Sequence, residues 1–117
     1  MNYSAVILTK ESHEKLLRAF STPKGWETYA HHMTIIYGKP LPEHCQGDIG
    51  KLVKLEVTHI GQNDTAQAAK VKGYYSTNKI PHVTLAVDKA NGGKPVDSNK
   101  IERWEEVETF IIEGIIG

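Results

Sequence analysis

An α+β fold with a mixed, mainly antiparallel sheet is what this 117-residue sequence predicts, and three observations carry the expectation. Segments with strand-like patterning outnumber helical ones. Two neighbouring strand segments, 51–60 and 65–73, flank the turn-forming Gly61-Gln62-Asn63-Asp64, as a hairpin requires. The tripeptide His-x-Thr also recurs in two apolar segments, at corresponding places of two half-chains, which suggests a pseudo-twofold layout. The expected order is β-α-β-β-β-β-α-β, with hairpins favouring antiparallel pairing.

Each element has its own signal. Residues 4–9, SAVILT, are rich in β-formers and run into a polar cluster, which predicts the first strand. In ESHEKLLRAF (11–20), Leu16, Leu17 and Phe20 fall on one helical stripe. Thr9 or Ser12 can cap this helix, Glu11 and Glu14 lie where the helix dipole favours carboxylates, and STPKG ends it. HHMTIIYG (31–38) predicts a strand closed by Gly38 and followed by the turn-rich KPLPEHCQGDIG. In KLVKLEVTHI (51–60), Val53, Leu55 and Val57 alternate with Lys54, Glu56 and Thr58, the pattern of a half-buried strand. TAQAAKVKG (65–73) returns as a weaker partner. After YYSTNK, PHVTLAVD (81–88) is the second histidine strand, and KANGGKPVDSNK (89–100) a loop. KIERWEEV (100–107) predicts a short helix capped by Asp97, Ser98 or Asn99, and TFIIEGIIG (109–117) a last strand.

Bulk properties bound the function. The length predicts one domain over 1–117, able to bury roughly 65% of its unfolded surface without a metal or disulfides. The single cysteine, Cys45, excludes an intrachain disulfide and fits a reducing compartment. Lys plus Arg and Asp plus Glu are 14 each, so no net field draws the chain to a membrane or along a nucleic-acid duplex. A small phosphate ligand in one local pocket stays open. The N-terminal MNYSAVILTKES carries only a short apolar run without a basic flank, so the expectation is a soluble, cytoplasmic protein without a leader or membrane span.

The repeated motif carries the chemistry. Alternation along a strand sorts PHVTLAVD into Val83, Leu85 and Val87 on one face and His82, Thr84, Ala86 and Asp88 on the other. It sorts HHMTIIY into His32, Thr34 and Ile36 against His31, Met33, Ile35 and Tyr37. If the aliphatic faces pack on helices, the opposite faces can line a cleft holding two imidazoles and two hydroxyls. That set suits a phosphodiester. A neutral imidazole accepts a proton from the attacking group, an imidazolium protonates the leaving oxygen, and the hydroxyls donate to the non-bridging oxygens. Histidine suits both roles because its ordinary pKa, ~6.5, populates both forms near neutrality. With 6 histidines in the chain, about half of one His-x-Thr is expected by chance, so it is the second copy, also in an apolar strand, that carries the reading.

Duplicated His-x-Thr or His-x-Ser motifs in strands resemble the signature of the 2H phosphoesterase superfamily. That family includes RNA 2′,3′-cyclic phosphodiesterases, the cyclic-phosphodiesterase domain of fungal-type tRNA ligases, and phage nucleases that destroy cyclic oligonucleotide signals. PHVTLAVDKANGGKPVDSNKI (81–101) looks most like the tRNA-ligase branch, in which a Gly-Lys-Pro loop follows the second motif. The resemblance implies a pseudo-twofold, two-lobed fold around a concave cleft, His32 and His82 as the acid–base pair, and Thr34 and Thr84 as phosphate donors. It implies hydrolysis of 2′,3′-cyclic phosphate ends of RNA or of small cyclic nucleotides, without metal or cofactor, in RNA repair or against cyclic oligonucleotide signals. The motifs are about fifty residues apart, shorter than in many members, which implies a trimmed scaffold.

For the substrate, a nucleotide or an RNA end, Tyr74 and Tyr75 are the favoured stacking residues, ahead of Trp26 and of Tyr37, which falls on the Met33/Ile35 face. Lys79 and Lys94 are candidate point charges for phosphate. His13 reads as an exposed helix residue and His59, continuing the Val53/Leu55/Val57 face, as a partly buried strand-end one. Two other classes compete. One is a non-catalytic nucleotide- or RNA-binding module. The other is a zinc hydrolase using His31, His32, His44 and Cys45, which the absence of paired ligand spacing disfavours.

Overall fold

The computed structural model describes residues 3–117, so Met1 and Asn2 of the N-terminal reading lie outside it. The strands are β1 (Tyr3–Leu8), β2 (Glu27–Thr28), β3 (His32–Tyr37), β4 (Leu52–Gln62), β5 (Ala66–Lys72), β6 (His82–Val87) and β7 (Trp104–Ile116). One α-helix, α1 (Lys10–Ala19), follows β1, and 3-10 turns occupy Glu43–Asp48, Lys89–Asn91 and Pro95–Lys100. The sheet runs β2-β6-β3-β1-β7-β4-β5, and β5 pairs back onto β6. Six strands therefore form a closed barrel, an arrangement that leaves those strands no free edge. Among the described residues every pairing is antiparallel, so the expected α+β class is present with an antiparallel rather than a mixed sheet.

The aliphatic faces point into the barrel instead of packing on helices. Val6, Met33, Ile35, Leu55, Val57, Ala69, Val71, Val83, Leu85, Ile112 and Ile116 bring side chains from all six barrel strands into one core. Helix α1 adds Leu16, fully buried, and Leu17, partly so, and the residue that ends it, Phe20, is also partly buried against the core. Thr9 caps it, its Oγ1 accepting from the Ser12 N–H at 3.2 Å. Ser12 Oγ in turn accepts from Glu113 N at 2.7 Å, fastening the start of the helix to β7.

The expected helix at 100–107 is instead a 3-10 end, a short connection and the first part of β7. Trp104, Val107 and Phe110 are spaced by three and imitate a helical stripe. In the strand, a bulge accommodates them. Val57 pairs with Phe110 and His59 with Glu106, so residues 107–109 of β7 face the single Thr58 of β4. Val107 and Phe110 then both reach the core.

The β1–β7 seam is tight. A Cβ on Gly114 would meet Val6 Cγ1 at 2.6 Å and the Ile7 carbonyl oxygen at 2.8 Å. Glycine here serves close strand approach rather than an unusual dihedral. Gly114→Ala is expected to destabilise the fold by about 1–3 kcal/mol, read from the shift in a urea unfolding midpoint at unchanged slope.

Candidate active site

β6 has two edges. β5 takes one, along His82 to Val87. The other is shared by β2, through Glu27–Val87 and Thr28–Ala86, and β3, through Met33–Val83. Met33 and Val83 are fully buried in the barrel, so their neighbours on both strands face outward. His32 and Thr84 therefore flank the pair on one side, and Thr34 and His82 on the other. All four line a single cleft of about 610 Å³. The charged form of His82 lies close enough to disfavour protonation of His32.

Each group has a defined setting. His82 is 7% exposed, and its Nδ1–H donates to the Ile80 carbonyl at 2.8 Å. In the neutral ring, Nε2 is then the lone-pair nitrogen. Burial lowers the pKa of His82, against the opposing pull of the Ile80 carbonyl. Burial also lowers that of His32, and the positive forms of His31 and His82 lower it further. Thr84 Oγ1 lies 2.8 Å from Ser98 Oγ. The loop after β5 zips onto the outer half of β3, with Ser76 Oγ donating to the Thr34 carbonyl at 2.7 Å and Thr77 N donating to that of Ile35 at 2.8 Å. This brings Asn78 to the cleft wall.

Two departures from strand alternation bring further residues to the cleft. Ser4 pairs with Ile36 but Ala5 with Thr34, so Ile35 is an extra residue in β3. Past it, Ile36 packs on the core and Tyr37, 74% exposed, lines the cleft, correcting its assignment to the Met33/Ile35 face. At the other end Ala30 has φ +59°, a left-handed conformation that disfavours side chains by about 1–2 kcal/mol. It breaks the strand so that Tyr29, His31 and His32 all line the cleft. Ala30 is tied down by its N–H to the Thr84 carbonyl at 2.8 Å, and by its own carbonyl, which accepts from His13 Nδ1 at 3.0 Å. His13 is thus a half-buried anchor, not an exposed helix residue.

The other candidates stand elsewhere. Tyr74 packs on the core and its hydroxyl donates to Asp48 Oδ2 at 2.9 Å; burial, with Cys45 and Asp48 nearby, pushes its pKa up. Tyr75 meets the His44 ring edge-on at 4.8 Å. Neither tyrosine, nor Trp26, Lys79 or Lys94, is among the cleft-lining residues. Lys94 instead starts the Pro95–Lys100 turn, and it is Pro95, Val96 and Asn99 that form a cleft wall. Cys45 is buried, and among the described residues no three His, Cys, Asp or Glu side chains converge as a metal site, so His31, His32, His44 and Cys45 do not assemble as one. Of the missed residues, Pro95, Val96 and Asn99 lay in the quoted Gly-Lys-Pro segment, whereas Tyr29 and Asn78 carried no signal of their own.

No family model matches the chain, and no curated protein matches it. Among the described residues no helix is long and apolar enough to cross a membrane.

The depressed histidines imply a pH effect on stability. In the unfolded chain they titrate near 6.5, in the fold lower, so the unfolded state binds protons more readily below that value. Stability is fully present above about pH 6.5 and falls as pH drops through the folded values. Urea midpoints should fall from pH 7.5 to pH 5, and the fall should shrink in the His32→Asn/His82→Asn double variant.

Proposed function

We propose that the protein is a metal-independent phosphodiesterase that opens 2′,3′-cyclic phosphates, at RNA ends or in small cyclic nucleotides, by paired-histidine acid–base catalysis. The observation that carries this reading is the convergence of His32, Thr34, His82 and Thr84, from segments about fifty residues apart, on one cleft. In the reaction a water oxygen bonds to phosphorus as one ring P–O bond breaks. One imidazole takes the water proton and the other delivers a proton to the departing ribose oxygen, while Thr34 and Thr84 donate to the non-bridging oxygens. Either histidine can fill either role.

The electrostatics suit that cycle. Both imidazoles favour the neutral form in the protein alone. A phosphodiester anion between them favours the charged form of one, so substrate brings the acid into its working state. The turnover profile should be bell-shaped in pH. A local twofold also fits: an antiparallel pair is twofold-related about its central residues, and rotation about Met33–Val83 exchanges the two motifs. The pseudo-twofold, two-lobed architecture of 2H phosphoesterases and a role in RNA repair belong to this proposal. Tyr29 and Tyr37 take the stacking role first assigned to Tyr74 and Tyr75.

The test is an EDTA-treated panel of 2′,3′-cyclic mononucleotides, 2′,3′-cyclic-ended RNA and cyclic di- and trinucleotides, with products resolved by chromatography. His32→Ala and His82→Ala should each lose most of the rate, and Thr34→Ala or Thr84→Ala roughly 10²–10³-fold. Turnover should survive EDTA. Near-normal turnover by either histidine variant removes its acid–base role, and ligand binding without turnover in the unmodified protein favours a binding module.

A further inference from the structure

We infer that Ser98 is a positioning residue for the reaction proposed above, on which this inference rests: its hydroxyl donates to Thr84 Oγ1 and so turns the Thr84 O–H toward the phosphate. Ser98 is 1% exposed, and its Oγ lies 2.8 Å from Thr84 Oγ1. Each hydroxyl has one proton, so only one of the two can donate across this contact. If Thr84 donates to Ser98, the Thr84 lone pairs face the cleft and repel an anion, while the buried Ser98 proton loses its acceptor. If Ser98 donates to Thr84, both protons have acceptors once a phosphate oxygen is present. The anion therefore selects the order Ser98 to Thr84 to phosphate, and each bond in such a chain polarises the next.

The loop around Ser98 is built to hold it there. Asp97 Oδ2 accepts from Lys94 N at 3.0 Å and from Thr65 Oγ1 at 2.8 Å, and the Asp97 carbonyl accepts from Asn63 Nδ2 at 2.9 Å. The Thr65 hydroxyl is also the main reason the Asp97 carboxyl titrates below its ordinary value. The turn is thus pinned to the β4–β5 hairpin. Gly93 allows the close approach, since a Cβ there would meet the Asp88 carbonyl oxygen at 2.7 Å and that of Thr65 at 2.9 Å. The Gly93-Lys94-Pro95 segment acts by seating a buried hydroxyl behind Thr84, not by delivering the Lys94 ammonium to the substrate.

The experiment measures hydrolysis of uridine 2′,3′-cyclic phosphate by the unmodified protein, Ser98→Ala, Ser98→Cys, Thr84→Ala, Thr34→Ala, and the Ser98→Ala combinations with each threonine variant. Ser98→Ala should lower kcat about tenfold, less than deleting a direct donor, with KM and the thermal midpoint little changed. Ser98→Cys, which keeps the volume with a weaker donor, should fall between. In the Thr84→Ala background Ser98→Ala should change kcat by less than about twofold, whereas in the Thr34→Ala background it should keep its tenfold effect. A wild-type kcat in Ser98→Ala, or a tenfold loss that persists without the Thr84 hydroxyl, overturns the inference and leaves the phosphodiesterase reading intact. Absence of turnover in the unmodified protein, on this substrate and on the rest of the panel above, overturns both.

Discussion

The pairing of Met33 with Val83 is the contact on which the rest of this molecule turns. Both side chains are driven into the barrel by the hydrophobic effect. Because strand side chains alternate, that burial obliges His32, Thr34, His82 and Thr84 to face the other way. A slip of one residue in either strand would exchange an imidazole and a hydroxyl for aliphatics, at the expense of the core. Core packing thereby sets the geometry of the polar cluster without any polar contact being needed to do so.

What surrounds this pair is polar detail on an apolar frame. β3 and β6 share one residue pair, and the space they leave is bridged by other segments: residues 76–78 against the outer half of β3, and Pro95–Lys100 beside β6. Alanines at 66 and 68, fully buried but outside the core cluster, keep β5 thin on the side where that second segment packs. The cleft is therefore walled by loops, and loops carry most of the contacts that differ between ligands. Burial disfavours the charged forms of both His32 and His82.

The strand-borne part of the site was legible in the sequence because period-two alternation is a local rule. His-x-Thr in an apolar strand states its own facing. Barrel closure was not legible, since it depends on β5 pairing with β6 across a loop whose path no local pattern reveals. Nor were the bulges. The extra Ile35 moves Tyr37 into the cleft, and the three-to-one bulge opposite Thr58 lets Trp104, Val107 and Phe110 sit in a strand despite helical spacing. Ala30 in the left-handed region is a tertiary effect, held by Thr84 and His13 from distant parts of the chain. Ser98 read as a helix cap because small hydroxyl residues before an amphipathic run usually are. Its contact with Thr84 spans fourteen residues and a turn.

The most direct measurement is an NMR titration of ¹⁵N-histidine-labelled protein with a nucleoside 2′-monophosphate. Imidazole signals of His32 and His82 should shift together along one binding curve, with one of the two gaining a proton, and His82→Asn should abolish the response at His32. Shifts at only one ring, or two curves with separate affinities, would mean that the histidines serve different sites and that one phosphorus atom is not their common target.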